Sequence, residues 1–127
     1  MVLPTPTAAE LAILRVLWRA GPATVRAVHE QVYAGTETGY TATLKLMQNL
    51  LSKGLLTRTV DGRSHIYTAA VSEKPTMAGV ARRWISQSFG GSPLALAMQA
   101  LDTGPVDAAE LSQLKAMIAR IEREGSA

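Results

Sequence analysis

Apolar residues recur at helical spacing in three short segments of the first half of the chain. Thr7 and Glu10, three residues apart, predict a capping box at the start of the first helix. Thr24 is suited to cap a second helix after the Gly21–Pro22 turn, and a third helix is predicted from Thr41 to Gly54. The inner face of this third helix is assigned to Thr43, Leu46, Met47 and Leu50.

Two β-like runs, LLTRTV and RSHIYTA, follow the third helix and are separated by Asp61-Gly62. Asp-Gly between such runs predicts a two-residue hairpin turn. Three helices and then a hairpin describe a winged helix-turn-helix, in which the third helix enters the DNA major groove and the hairpin contacts the flanking backbone. The predicted fold class is therefore mostly α with a small β-hairpin.

Beyond Val71 the pattern predicts three further helices and no strand. Val80, Trp84 and Ile85 share one face and are interpreted as core, and Asp107 with Glu110 predicts the cap of the final helix. Helices this small cannot readily close a core alone, so a second copy is expected to cover them. The predicted domains are 1–72, for DNA binding, and 73–127, for dimerisation. The predicted dimer contacts are Val80, Trp84, Leu101, Leu111, Leu114, Ile118 and Ile121.

Charge is distributed unevenly along the 127 residues, although the net charge is only +3. Through Lys74 there are eight Lys and Arg against five Asp and Glu, and beyond it five against five. The excess positive charge thus lies in the predicted winged helix, as expected if this part meets a polyanion. Between Glu37 and Asp61 there is no acidic residue at all. An acid there would face phosphates, so the acid-free stretch favours double-stranded DNA as the partner.

Asn and Gln can pair with adenine, Lys with guanine, and Arg or Thr with phosphates. On this basis Thr41, Lys45, Gln48 and Asn49 are predicted to contact bases, and basic residues of the third helix and wing to contact phosphates. The complete set of candidate DNA contacts is Thr41, Thr43, Lys45, Gln48, Asn49, Lys53, Arg58, Arg63 and His65. Thr43 is thus assigned both to this set and to the inner face.

Other classes of protein receive little support from the sequence. The chain has no cysteine, which excludes disulfides, thiolate metal sites and cysteine nucleophiles. His29, expected on a helix surface, and His65 form no metal-binding cluster, and no catalytic motif occurs, so no metal, no cofactor and no enzymatic activity are expected. The chain has neither a bilayer-spanning run nor a secretory N-terminal pattern, so a cytoplasmic protein without membrane contact is expected.

Most of the chain resembles the penicillinase-repressor family of winged-helix transcription repressors. The resemblance is carried by LAILRVLW, TVRAVHEQV, GYTATLKLMQNLLSKGLL and TRTVDGRSHIYTA, and by a helical tail of matching length. It implies a homodimeric repressor that occupies a dyad operator near a promoter. It also implies relief by proteolysis near Ala97-Met98 in the dimerisation domain, with a sensor protease as a further partner.

The sequence departs from this family in two places. The Asn-Phe bond that is cut in well-known members is absent near Ala97-Met98, which argues against a β-lactam-responsive role. The absence of cysteine excludes the copper-sensing branch. Two alternatives stay open: a winged-helix module for protein–protein interaction, and a repressor that responds to a small molecule, although the chain is poor in pocket-lining aromatic residues.

Overall fold

A computed structural model describes residues 4–125, which contain six helices and a two-stranded hairpin. The order along the chain is three helices, the hairpin and three further helices, which confirms the predicted fold class. The elements are α1 (Ala8–Ala20), α2 (Val25–Tyr33), α3 (Tyr40–Ser52), β1 (Leu56–Asp61), β2 (Ser64–Ala69), α4 (Glu73–Ser88), α5 (Pro93–Thr103) and α6 (Ala108–Gly125).

The helix caps are those that the sequence predicts. Thr7 accepts a hydrogen bond from the backbone N–H of Glu10 at 3.2 Å, and the Glu10 carboxylate accepts one from the N–H of Thr7 at 2.9 Å. Thr24 caps α2, and Asp107 accepts a hydrogen bond from the N–H of Glu110 at 2.8 Å at the start of α6. These contacts satisfy N–H groups that have no partner within a helix, so each boundary is fixed locally.

The chain divides into two compact units, Met1–Arg83 and Trp84–Ala127. The first unit has a core in which α1, α2, α3 and the hairpin meet. Its fully or almost fully buried side chains are Ile13, Leu14, Val28, Met47, Leu50, Leu55 and Tyr67. Two backbone hydrogen bonds between Ala23 and Tyr67, 3.0 and 2.8 Å long, join β2 to the α1–α2 turn. The indole of Trp18 donates to the carbonyl of Val71 at 2.9 Å, so α1 also holds the end of the hairpin.

The hairpin turn lies one residue later than predicted. Asp61 pairs with Ser64 at the end of the ladder, so the two turn residues are Gly62 and Arg63 rather than Asp61 and Gly62. Gly62 has φ = +63°, while no residue other than glycine has positive φ in the described part of the chain. Positive φ at the first turn residue alone is typical of a type II′ turn, which strongly favours glycine there. Asp61 therefore belongs to the strand.

The second unit consists of the end of α4 together with α5 and α6. Neither α5 nor α6 contains a buried residue. Trp84 is 53% exposed, so its interpretation as a core residue is wrong. The two units divide within α4, after the predicted functional boundary at 72/73, which stays a prediction. None of the helices across residues 4–125 combines the length and hydrophobicity needed to cross a bilayer.

Candidate nucleic-acid interface

The outer face of α3 is polar and free of acids. Thr41, Lys45, Gln48 and Asn49 are all exposed, while Met47 and Leu50 of the same helix are completely buried. The helix starts after Gly39 without a side-chain cap, and its first turn contains no acidic residue. The structure thus places the four predicted base-contacting side chains together on one accessible surface.

Thr43 does not belong to that surface, contrary to the prediction. Its side chain is completely buried, and its Oγ1 lies 2.7 Å from Nδ1 of His29. His29 is half-buried rather than on the helix surface as expected, and its ring makes edge contact with Tyr40 at a centroid distance of 6.0 Å. Because a buried hydroxyl needs a partner, this hydrogen bond joins α2 to α3 and helps to fix the angle of α3.

Lys53, a predicted phosphate contact, is engaged in an ion pair within the first unit. Its Nζ lies 2.6 and 2.9 Å from the two carboxylate oxygens of Glu10, a residue that is only 2% exposed. Burial alone raises the pKa of Glu10, but the hydrogen bond and charge of Lys53, with the N–H of Thr7, outweigh it and hold the pKa below 4.5. The ammonium therefore attaches the C-terminal end of α3 to the start of α1.

The hairpin carries the predicted basic side chains on accessible positions. Arg58 lies opposite Tyr67 in the ladder, and His65 lies two residues before Tyr67, so Arg58 and His65 share the face that buries Tyr67. Arg63 lies in the turn itself, and all three basic side chains are exposed. The hairpin thus presents cations both along one face and at its tip, as a wing that contacts DNA backbone requires.

Arg26 and Tyr40 were missed by reasoning from the sequence. The guanidinium carbon of Arg26, on α2, lies 5.3 Å from the centroid of the Tyr40 ring at the start of α3. Arg26 is in the first turn of its helix, where the helix dipole disfavours a cation. The sequence did contain a signal for Arg26. A cation at a position that the helix dipole disfavours indicates a role other than stabilising the helix.

Residues 6–120 match the family described as penicillinase repressor. The chain belongs to the penicillinase repressor family. This match covers the caps, α3, the hairpin and most of the C-terminal helices, and it confirms the resemblance noted from the sequence.

Individual relatives share parts of this architecture. The transcriptional regulator BlaI of Mycobacterium tuberculosis is 35% identical over 72 residues, which are 56% of this chain and 52% of that protein. The chain thus spans about half the length of the curated relatives that it matches. The solution structure of the DNA-binding domain of the repressor BlaI has a TM-score of 0.51 at 22% identity, covering 57% of this chain and 88% of that domain.

A second solved structure extends the comparison along the chain. The crystal structure of a probable transcriptional regulator from Pseudomonas aeruginosa has a TM-score of 0.50 at 21% identity, covering 91% of this chain and 77% of that one. At these identities the structural likeness establishes the fold alone.

In this penicillinase repressor family member, the C-terminal helices present an exposed apolar surface. Nine of the eleven large apolar side chains recorded as exposed within residues 4–125 lie between Trp84 and Ile121. Among the predicted dimer contacts, Leu114 is half-buried and Val80 is only 4% exposed, so Val80 offers a partner almost no surface. The remaining five predicted contacts are exposed: Trp84, Leu101, Leu111, Ile118 and Ile121.

Proposed function

We propose that this protein is a homodimeric, sequence-specific DNA-binding repressor that acts by occupying promoter DNA. The observation that carries the proposal is the exposed, acid-free face of α3 beside a hairpin with three exposed basic side chains. Membership of the penicillinase repressor family supports the same function. Occupation of a promoter prevents access of the transcription machinery without any catalytic step.

The chemistry of the α3 face suits the edges of bases in the major groove. Gln48 and Asn49 can each pair bidentately with adenine, and Lys45 can donate to the O6 and N7 atoms of guanine. Thr41, at the start of the helix, can contact a phosphate or a thymine methyl group. Specificity is thus assigned to α3, and Arg58, Arg63 and His65 on the wing supply affinity that is independent of sequence.

A second copy of this chain is the proposed cover for the apolar side chains of α5 and α6. Large exposed apolar surfaces in water mark sites of protein association, and no residue of these helices is fully buried within residues 4–125. A twofold dimer presents two copies of α3, which match half-sites one or more helical turns apart, about 34 Å per turn. The operator is therefore proposed to be a dyad.

Selection of bound sequences from a random duplex pool tests this proposal directly. We expect enrichment of a dyad with two half-sites, and loss of the second half-site should greatly reduce affinity. A folded protein that enriches no sequence would contradict the proposal and would favour a winged-helix module for protein contact. The bases selected by an Asn49→Ala variant, compared with those selected by the unaltered protein, would show which position that side chain specifies.

Cleavage within α5 is the proposed way of relieving repression. Ala97 and Met98 lie inside α5, whereas a protease needs an extended substrate, so this helix has to unwind first. Because no side chain of α5 is fully buried within residues 4–125, we expect this helix to unwind more readily than a helix of the core. Limited proteolysis read by mass spectrometry tests this step. First cuts that fall outside residues 93–103 would count against it.

A second candidate is a repressor that responds to a small molecule. A cavity of about 460 Å³ in the first unit is lined by Leu55, Val71, Pro75 and the guanidinium-bearing Arg82, among others. Apolar walls with one cation suit an apolar carboxylate. Thermal unfolding with a panel of aromatic carboxylates tests this candidate. If this candidate is right, at least one carboxylate raises the unfolding temperature of the unaltered protein but not that of Arg82→Ala. If no compound raises the unfolding temperature, aromatic carboxylates are excluded as ligands.

A further inference from the structure

A concave surface lies where the starts of α2 and α3 meet the tip of the hairpin. It encloses about 340 Å³, and its lining includes Thr24, Arg26, Tyr40, Arg63, Ser64 and His65. Arg26 and Arg63 carry guanidinium cations, His65 carries an imidazole, and no Asp or Glu is among the lining residues. Several separate parts of the chain thus bring cationic groups to one place.

Arg26 occupies an unfavourable position in its own helix. It lies in the first turn of α2, where a cation is disfavoured by the helix dipole. Throughout residues 4–125, no carboxylate is recorded within salt-bridge distance of this guanidinium, whose recorded partner is the ring of Tyr40 at 5.3 Å. Stacking on an aromatic ring holds a guanidinium in one orientation and leaves its N–H groups free to donate elsewhere.

The hairpin brings a second guanidinium to the same cavity. The paired hydrogen bonds between Ala23 and Tyr67 hold β2 beside the start of α2. Arg63 is the second residue of the tight turn that leads into β2. Two arginines that line one cavity without a carboxylate repel each other. A bound anion removes this repulsion, and the planar guanidinium matches the oxygen atoms of a phosphate.

We propose that this cavity binds one phosphate of the DNA backbone beside the bases that α3 contacts. The inference rests on the proposed function and adds Arg26 to the DNA contacts, with Tyr40 as its positioning residue. Arg26 and Arg63 donate N–H groups to the phosphate oxygens, and the Ser64 hydroxyl can donate as well. Because each backbone phosphate is the same for every sequence, this contact sets the register of α3 without specifying bases.

The test compares equilibrium binding of a selected duplex and a scrambled duplex at several salt concentrations. For Arg26→Ala we expect a loss of affinity that is similar on both duplexes, and a salt slope that is shallower by about one unit per protomer. Arg15→Ala is the matched control, because Arg15 is an exposed arginine of α1 that does not line the cavity. It should leave the slope within about 0.3 of the unaltered value.

Variants of Tyr40 separate positioning from direct contact. Tyr40→Phe keeps the ring, so we expect affinity within about twofold of the unaltered protein. Tyr40→Leu removes the ring but leaves the Arg26 charge, so we expect weaker binding of about threefold to tenfold with the salt slope retained. A large loss in Tyr40→Phe would instead make the phenol a direct contact and would overturn the positioning role.

Two outcomes distinguish a wrong cavity assignment from a wrong proposed function. If the unaltered protein binds DNA with a steep salt slope and Arg26→Ala behaves identically, the cavity assignment is wrong while the proposed function stands. If the unaltered, folded protein binds no duplex, both are wrong. Inorganic phosphate tests the alternative that the cavity binds a free phosphate ion and not a phosphate of the DNA backbone. NMR shifts of the Arg26 and His65 signals with phosphate, combined with normal DNA binding by Arg26→Ala, would assign the cavity to a free anion and overturn the proposal.

Discussion

Replacement of Lys53 by Met removes the cation that neutralises Glu10 and keeps most of the aliphatic packing of the side chain. The Glu10 side chain is 3% exposed, while that of Lys53 is 31% exposed. The variant therefore leaves a carboxylate almost fully buried, with the N–H of Thr7 as its remaining hydrogen-bond donor. We expect a clear loss of stability with little direct effect on the affinity for DNA.

The magnitude follows from the unequal burial of the two partners. Breaking a fully buried ion pair costs about 3–5 kcal/mol, whereas an exposed pair contributes about 0.2–1 kcal/mol. Because water reaches the Lys53 end of this pair, we expect a decrease of about 2–3 kcal/mol in the free energy of unfolding. A domain of this size is stable by roughly 5–15 kcal/mol, so the effect is a large fraction of the total.

Urea unfolding at a fixed protein concentration measures this decrease. Lys45→Met is the matched control, since Lys45 is an exposed lysine of the same helix, and it should change stability by less than about 0.5 kcal/mol. Because the pKa of Glu10 is lowered on folding, the stabilisation from the pair is complete above pH 4.5 and is lost as the pH falls through the folded pKa. The difference between the unaltered protein and Lys53→Met should therefore shrink as the pH falls, because burial raises the pKa of Glu10 in the variant and a protonated Glu10 needs no cation. A cost under about 0.5 kcal/mol at pH 7, or a difference independent of pH, would refute this reasoning.

Three other predictions address recognition, assembly and the wing. Asn49→Ala should cost about 1–3 kcal/mol at particular base pairs and leave binding to scrambled DNA unchanged, as competition binding with single-base variants would show. Ile118→Glu should give folded monomers with weak operator binding, and a variant that stays dimeric by light scattering would place the interface elsewhere. Gly62→Ala should lower the free energy of unfolding by about 1 kcal/mol, because φ is positive there although the space is open. Gly79→Ala, in the interior of α4, should instead raise the free energy of unfolding by up to about 1 kcal/mol. If urea unfolding shows the same change for both variants, backbone conformation does not explain the effect at Gly62.

Features that depend on neighbouring residues were predictable from the sequence. The Thr7–Glu10 and Asp107–Glu110 caps involve residues three apart, and the outer face of α3 follows from its helical period. The hairpin was predicted for the same reason. The turn was predicted one residue too early, because glycine is favoured both at the second position of a type I′ turn and at the first position of a type II′ turn.

Features that depend on distant residues were not predictable in this way. Glu10 and Lys53 are 43 positions apart, and His29 and Thr43 are 14 apart. An exposed lysine and a lysine paired with a buried acid look alike in a polar pattern, so Lys53 was assigned to DNA. Similarly, the contact of Arg26 with Tyr40 depends on the angle between α2 and α3, which the hydrophobic period of either helix does not specify.

The salt dependence of binding to the selected dyad tests directly whether the wing and the start of α2 contact the DNA backbone. Arg26 and Arg63 of each protomer share one phosphate and Arg58 contacts another, so two protomers give about four phosphate contacts. Lys53 contributes none because Glu10 binds it. The logarithm of the association constant should then fall against the logarithm of salt concentration with a slope of about −4. A slope shallower than about −2, measured with folded dimeric protein, would contradict a DNA-backbone role for the wing and the start of α2.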